Sequence, residues 1–368
     1  MRIAQIAPLF ESVPPSLYGG SERVVSWLTE ELVHLGHEVT LFASGDSHTS
    51  ARLVPACEKA LWRDGACRET LPHHIHLLEL VFRELPQFDV LHFHCDYVHF
   101  PLVRRCGCPS ISTLHGSIHL HDLRPLFEEY RDVPLVSISH NQRQPLPGAK
   151  WVGNVYHGLP VELHTFRRGS GNYLAFLGRV SPEKGLERAI EIARRTGQKL
   201  KVAAKIYEED RPYYEHTIEP LLRSSSSFVE FLGEIGGSAK DEFLGDAKAL
   251  LFPVEWSEPF GLVMIEALAT GTPVIAWRRG SVPEVVQHGV TGFIVSNTDE
   301  AVEAVAQLDH LDRKECRKDF EARFTSERMA KDYLRLYEDA IASRSTPASF
   351  LPPENDSSSA PGDMLGAR

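Results

Sequence analysis

The sequence predicts an α/β protein built as two doubly wound parallel-sheet domains in tandem. Three observations carry this. Short apolar segments of strand length alternate with segments of helical period along most of the chain. The alternation halts around Trp151–Tyr156 and starts afresh at Tyr173. The 368 residues suit about two domains, and a hydrophobic content of 42% is ample for packed cores.

Residues 2–7, rich in Ile and Ala, read as the first strand. A loop follows, from Pro8 through Pro14-Pro15 to Gly19-Gly20. A helix opens at Ser21, with Val24, Leu28, Leu32 and Leu35 as its apolar face and Gly36 at its end. Glu38 to Ala43 gives the next strand, completing a β-loop-α-β unit. The loop lacks G-x-G-x-x-G, which disfavours a dinucleotide cofactor. Residues 75–85 read as a helix, and strands follow at 90–93, 110–114 and 135–138. Residues 160–171, a Pro and then basic and Gly-rich positions, read as a linker.

The second domain repeats the pattern. Strands are expected at 173–177, 199–204, 228–232, 249–252, 273–277 and 293–295, with helices at 185–196, 212–222, 239–246, 282–287 and 299–308. Segments 313–322 and 325–343 are helical, and the tail from Ser345, rich in Ser, Pro, Gly and Asp, is expected to be disordered. The domains are therefore placed at 1–165 and 166–324, with a tail at 345–368.

A formal charge of −11 argues against a nucleic-acid-binding surface and weakly against stable binding to anionic membranes. No apolar run approaches the ~20 residues needed to span a bilayer. The N-terminal run Met1 to Pro8 is too short and too soon interrupted for a signal peptide. Six scattered cysteines point to the reducing cytoplasm. Cys106 and Cys108 have no second pair to complete a zinc site and read as structural thiols.

Five stretches carry candidate chemistry. Ser257 and Pro259 suit a helix start and Gly271 a helix end, which puts Glu258 and Glu266 on one helix face about 12 Å apart along the axis. By themselves they also read as an ordinary first-turn acid and a solvated position. Gly19-Gly20 before a helix allows a ligand close to the backbone, or is a tight turn. Gly178-Arg179-Val180-Ser181-Pro182-Glu183-Lys184-Gly185 lies between a strand and a helix. There an Arg and a Lys suit a diphosphate, or are ordinary solvated cations. His115, after Thr113-Leu114, can donate to a sugar hydroxyl, or is a satisfied half-buried histidine. His92 and His94 share a strand face and could hold a metal, but no histidine pair has the i, i+4 spacing with a Glu of a zinc helix, so no metal is expected.

Taken together these stretches resemble the retaining glycosyltransferases of family 4, which have the GT-B fold of two Rossmann-like domains facing across a cleft. The resemblance runs in order to about residue 343: the Gly-Gly loop, the strand-end His, G-R-V-x-P-E-K-G, and E-P-F-G-L-x-x-I-E-A-x-A-x-G-x-P-V-I-A. It implies a nucleotide-diphosphate-sugar donor, UDP-sugar by preference, bound mainly by the second domain. Arg179 and Lys184 would hold the diphosphate and Glu266 the ribose hydroxyls, with Glu258 beside the transferred sugar. Backbone amides of Phe260, Gly261 and Leu262 would donate to sugar or phosphate. Gly19 and Gly20 would close from the first domain, His115 would contact the sugar, and Ile235 would lie near the base. Tyr18, His94, Asp96, Tyr97 and His119 are candidates for the acceptor side, the acceptor being a carbohydrate or small molecule. The resemblance also implies retention of configuration, no cofactor or metal, and helix 325–343 packing back on the first domain. One departure stands out: His157-Gly158-Leu159-Pro160 replaces the Asn-Gly-x-Asp turn frequent in the family. The alternatives are an epimerase or hydrolase of the same fold, a non-catalytic nucleotide-sugar binder, and a His-rich metal-dependent hydrolase.

Overall fold

A computed structural model describes residues 1–17, 19–119, 121–169 and 171–343, so the tail 345–368 lies outside the described residues. The first domain runs β1 (Arg2–Ile6), α1 (Gly20–His34), β2 (Glu38–Ser44), β3 (Arg52–Cys57), α2 (Leu71–Arg83), β4 (Val90–Phe93), α3 (Phe100–Cys106), β5 (Ser110–Thr113), α4 (Leu123–Glu129), β6 (Leu135–Ser137) and β7 (Trp151–Asn154). The second runs β8 (Tyr173–Arg179), α5 (Leu186–Thr196), β9 (Lys199–Lys205), α6 (Arg211–Tyr213), α7 (Glu219–Ser224), β10 (Val229–Gly233), α8 (Gly237–Gly245), β11 (Ala249–Phe252), α9 (Leu262–Thr270), β12 (Val274–Trp277), α10 (Val282–Val285), β13 (Gly292–Val295), α11 (Thr298–Gln307) and α12 (Arg313–Arg323). α13 (Ser326–Ser343) follows.

The strands form two all-parallel sheets, β3-β2-β1-β4-β5-β6-β7 and β10-β9-β8-β11-β12-β13. Helices cover both faces, so central strands such as β4, β11 and β12 are buried at every residue, as their apolar runs require. Each sheet changes direction once, between β1 and β4 and between β8 and β11. Beyond the carboxyl ends of the strands, such a switch point leaves a crevice between diverging loops.

Some elements differ from the sequence reading. β3 is an edge strand with Pro55 inside it and mixed burial, so it carries no clear apolar signal. The expected helix 212–222 is present over 211–224, but a π turn at Tyr214–Ile218 separates α6 from α7, where Pro220 lacks a backbone donor.

One apolar cluster continues from the first sheet through Phe260 and Phe324 into the second domain, beneath the cleft. α13 packs on α1, β4 and β5 of the first domain, with Tyr333 and Tyr337 fully buried. The crossing is pinned at Leu159, whose N–H donates to the Phe324 carbonyl at 2.8 Å and whose carbonyl accepts from Ser326 N at 2.8 Å. Gly158 makes this approach possible, because a Cβ there would lie 2.1 Å from the Thr325 carbonyl oxygen. Gly158→Ala should therefore lower stability by about 1–3 kcal/mol, read as a fall in Tm. Gly148→Ala, where an added Cβ meets nothing within 4 Å, should leave Tm nearly unchanged. Equal melting of all three proteins would contradict the pinning.

Candidate active site

The loops at the two switch points line a cavity of about 480 Å³ between the domains. From the second domain, the chain leaves β11 and turns through Trp256-Ser257-Glu258 before α9 begins at Leu262. Gly261, at φ 78°, breaks the path between them, and the Glu258 carbonyl accepts from Ser281 N at 3.0 Å. Glu258 is thus a loop residue tied to the β12–α10 connection. The expected helix face carrying both glutamates, and its 12 Å axial spacing, do not exist, because Gly261 and not Ser257 precedes the first helical residue.

Glu258 Oε2 accepts from Lys184 Nζ at 2.5 Å and from the Trp256 indole N–H at 2.8 Å. Lys184 also lies over the Trp256 ring, 5.0 Å from its centroid. Its position at the end of the Pro182–Lys184 turn follows directly from the end of β8. Glu266 projects from α9 and is buried. Its Oε1 accepts from Lys240 Nζ of α8 at 2.5 Å. Burial, the largest influence, pushes the Glu266 carboxyl up, but Lys240, His164 and Arg23 together hold it below its ordinary value. Two lysine–carboxylate pairs therefore line one wall. Arg179, the last residue of β8, also lines the cavity. Its guanidinium is paired with Glu183 at 2.8 Å and Asp210 at 3.2 Å.

The facing wall comes from the first domain. Gly19 and Gly20 begin α1, with Gly20 opposite Leu262 of α9. His94 follows β4 and His115 follows β5. Their rings are joined by a 2.9 Å hydrogen bond between His94 Nδ1 and His115 Nε2. Burial lowers the His115 pKa to about 4, and burial followed by the neighbouring His92, His115 and His157 pushes that of His94 well below the ordinary range. Burial favours the neutral form of both. Glu22 in the first turn of α1 is buried, which raises its carboxyl to about 7.

The lining also includes Asp96, Ile235, Phe260, Gly261 and Leu262. Tyr97 and His119, expected on the acceptor side, are exposed and outside the lining. Asp96, before Tyr97, has φ 50°, and Ile118, before His119, is buried. Tyr18 lies outside the described residues. Sequence reasoning missed Lys240, Glu22, His157 and Trp62, all in the lining. Only His157 carried a signal, as the departure at the His157-Gly158 turn. It stacks on His115 with ring centroids 5.3 Å apart.

Removing Lys240 leaves Glu266 buried without its partner. Lys240→Met should cost about 3 kcal/mol at pH 7. The wild-type carboxyl is held below 4.5, so its stabilising contribution is full above that value and fades as pH falls through the lowered folded-state pKa. The deficit of Lys240→Met in Tm should therefore shrink as pH is lowered, once Glu266 takes up a proton. A deficit that stays constant with pH would contradict the pairing.

Residues 165–324 match the family model described as Glycosyl transferases group 1, and residues 18–157 the model Glycosyltransferase Family 4. The chain is 25% identical to an uncharacterized glycosyltransferase of Methanocaldococcus jannaschii, over 92% of this chain and 98% of that protein. It is 26% identical to N-acetyl-alpha-D-glucosaminyl L-malate synthase of Bacillus anthracis, over 88% of this chain and 94% of the relative. Its fold is similar to that of AviGT4, a glycosyltransferase involved in avilamycin A biosynthesis, with a TM-score of 0.72 at 25% identity, covering 93% and 98% of the two chains. Anabaena HepE, crystallised in complex with UDP and glucose, shares the fold with a TM-score of 0.72 at 15% identity, covering 92% of this chain and 100% of HepE. Two parallel sheets facing across one cleft, both family models in their order along the chain, and full-length relatives converge: the chain is a glycosyltransferase of family 4 with the GT-B fold.

Proposed function

We propose that the enzyme transfers a sugar from UDP-sugar to a hydroxyl of a carbohydrate or small-molecule acceptor, with retention of configuration and without a metal. The observation that carries this reading is the pair of lysine–carboxylate contacts on one wall, Lys184–Glu258 and Lys240–Glu266. They provide two polar stations for one elongated donor. Glu266 is a two-oxygen acceptor suited to the ribose hydroxyls. Lys184 and Arg179 offer cations to the diphosphate, and the amides of Leu262 and Val263 at the start of α9 add donors. UDP is supported by its presence, with glucose, in the HepE crystal structure.

In this mechanism the bond between the anomeric carbon and the phosphate oxygen breaks as the acceptor oxygen attacks from the same face. The acceptor proton passes to a leaving phosphate oxygen. Lys184 and Arg179 stabilise the negative charge that builds on the diphosphate. Glu258 lies beside the sugar, where a carboxylate favours the developing positive charge. The histidines opposite are kept uncharged by burial and so do not repel it. Closure of the domains would exclude water, the competing acceptor. No Asp-x-Asp pair is available to hold a cation on the diphosphate.

Glu258→Ala and Lys184→Ala should each lower transfer by about 100-fold or more in protein that is still folded at the assay temperature, with Tm falling because the partner charge is left enclosed and unpaired. Near wild-type rates in folded variants would refute the assigned roles. UDP should raise Tm, by linkage. A shift with GDP or ADP but none with UDP would overturn the nucleotide. Activity should survive EDTA, and its loss would overturn the metal-free reading.

A further inference from the structure

A continuous chain of hydrogen bonds runs through the first domain from α13 to the cleft. Tyr333 OH and Thr113 Oγ1 are 3.0 Å apart, and Thr113 Oγ1 is 2.7 Å from His92 Nε2. His92 Nδ1 is 2.8 Å from Tyr337 OH. Gln5 Nε2 donates to Tyr337 OH at 2.9 Å, and Gln5 Oε1 lies 2.8 Å from His94 Nε2. His94 Nδ1 then meets His115 Nε2 at 2.9 Å. His115 Nδ1 is buried and has no hydrogen-bond partner, on a side chain that lines the cleft.

The amide of Gln5 fixes the direction of the half that reaches the cleft. Its oxygen can only accept, so His94 donates from Nε2. A neutral His94 then has a bare Nδ1, which accepts from His115 Nε2–H. A neutral His115 in turn has a bare Nδ1. On the other side Tyr337 OH, already accepting from Gln5, donates to His92 Nδ1, and His92 Nε2–H donates to Thr113. Turning the amide over would reverse every bond at once and present an N–H to the cleft instead. The polarity therefore switches as a unit, and a tautomer at the site is linked to two tyrosines of a helix from the far end of the chain.

We propose that Tyr337, Gln5 and His94 are positioning residues that fix His115 as the Nε2–H tautomer, so that its Nδ1 accepts a hydrogen bond from a hydroxyl of the donor sugar. The sugar contact rests on the function proposed above; the tautomer does not. Discrimination follows from the chemistry. A bare ring nitrogen recognises a hydroxyl at that place on the sugar, and rejects an analogue carrying only an acceptor there.

The test is nitrogen NMR of the full chain, free of ligand, labelled with ¹⁵N-histidine and assigned with His115→Gln and His94→Gln. In the wild type His115 Nδ1 should show the shift of an unprotonated ring nitrogen, and His115 Nε2 and His94 Nε2 those of N–H nitrogens. Tyr337→Phe deprives the Gln5 amide nitrogen of its acceptor, and Gln5→Leu removes both amide contacts. In either variant the His94 and His115 signals should move towards the opposite tautomer or average between the two. An Nδ1–H on wild-type His115 overturns the proposal, as do unchanged His94 and His115 shifts in a folded variant. If neither variant folds, the wild-type spectrum still decides the polarity. No donor is present, so a failure here leaves the donor reading standing; that reading fails separately, if UDP does not shift Tm.

Discussion

The contact between Lys184 and Glu258 depends on the pairing of β8 with β11, and the proposed donor site depends on that contact. β8 and β11 are hydrogen-bonded neighbours at the switch point of their sheet, so the loops that leave them run side by side. One loop delivers Lys184 and the other Glu258. Glu255 N donates to the Glu183 carbonyl at 2.9 Å and locks the two loops together. A pair this enclosed gains strong attraction but loses hydration, so its presence is weak evidence of a contribution to stability. Its value lies in what it offers a ligand. An incoming diphosphate can share the lysine and leave the carboxylate beside the sugar.

The two domains are joined by apolar and polar contacts that meet at Tyr156. Beneath the cleft the join is apolar, with Phe260 packed between Tyr156, His157 and Phe324. Beside it the join is polar: Glu284 of α10 accepts from His140 N and Asn141 N at 2.8 Å each, and from Tyr156 OH at 3.0 Å. Water can replace the polar bridges at modest cost, whereas the apolar packing has no such substitute. α13 packs on the first domain and supplies the tyrosines from which the histidine chain starts.

Much of the fold was legible because parallel strands covered on both faces are mostly near-continuous apolar runs. β11, β12 and the first half of β8 stand out as such runs, whereas β3, half-exposed and interrupted by Pro55, does not. Local signals misled where a tertiary requirement was stronger. Ser257 and Pro259 look like a helix start, yet the loop is tied to Ser281 and the helix waits for Gly261. For the site, Arg179, Lys184, Glu258 and Glu266 could be singled out because each lies in a distinctive string at a strand end or helix start. Lys240 could not: nothing in Gly237-Ser238-Ala239-Lys240 says that its ammonium will reach across to α9. The same holds for Gln5, an apparent polar interruption of a strand whose partners lie 332 and 89 residues away.

A crystal structure of the protein with UDP is the most direct test of the donor site. The ribose hydroxyls should fall within hydrogen-bond distance of Glu266 and the diphosphate within reach of Lys184, with the terminal phosphate pointing towards Glu258 and His115. UDP bound elsewhere, or in the cleft with its phosphates away from Lys184, would contradict the assignment of the two lysine–carboxylate pairs as donor stations.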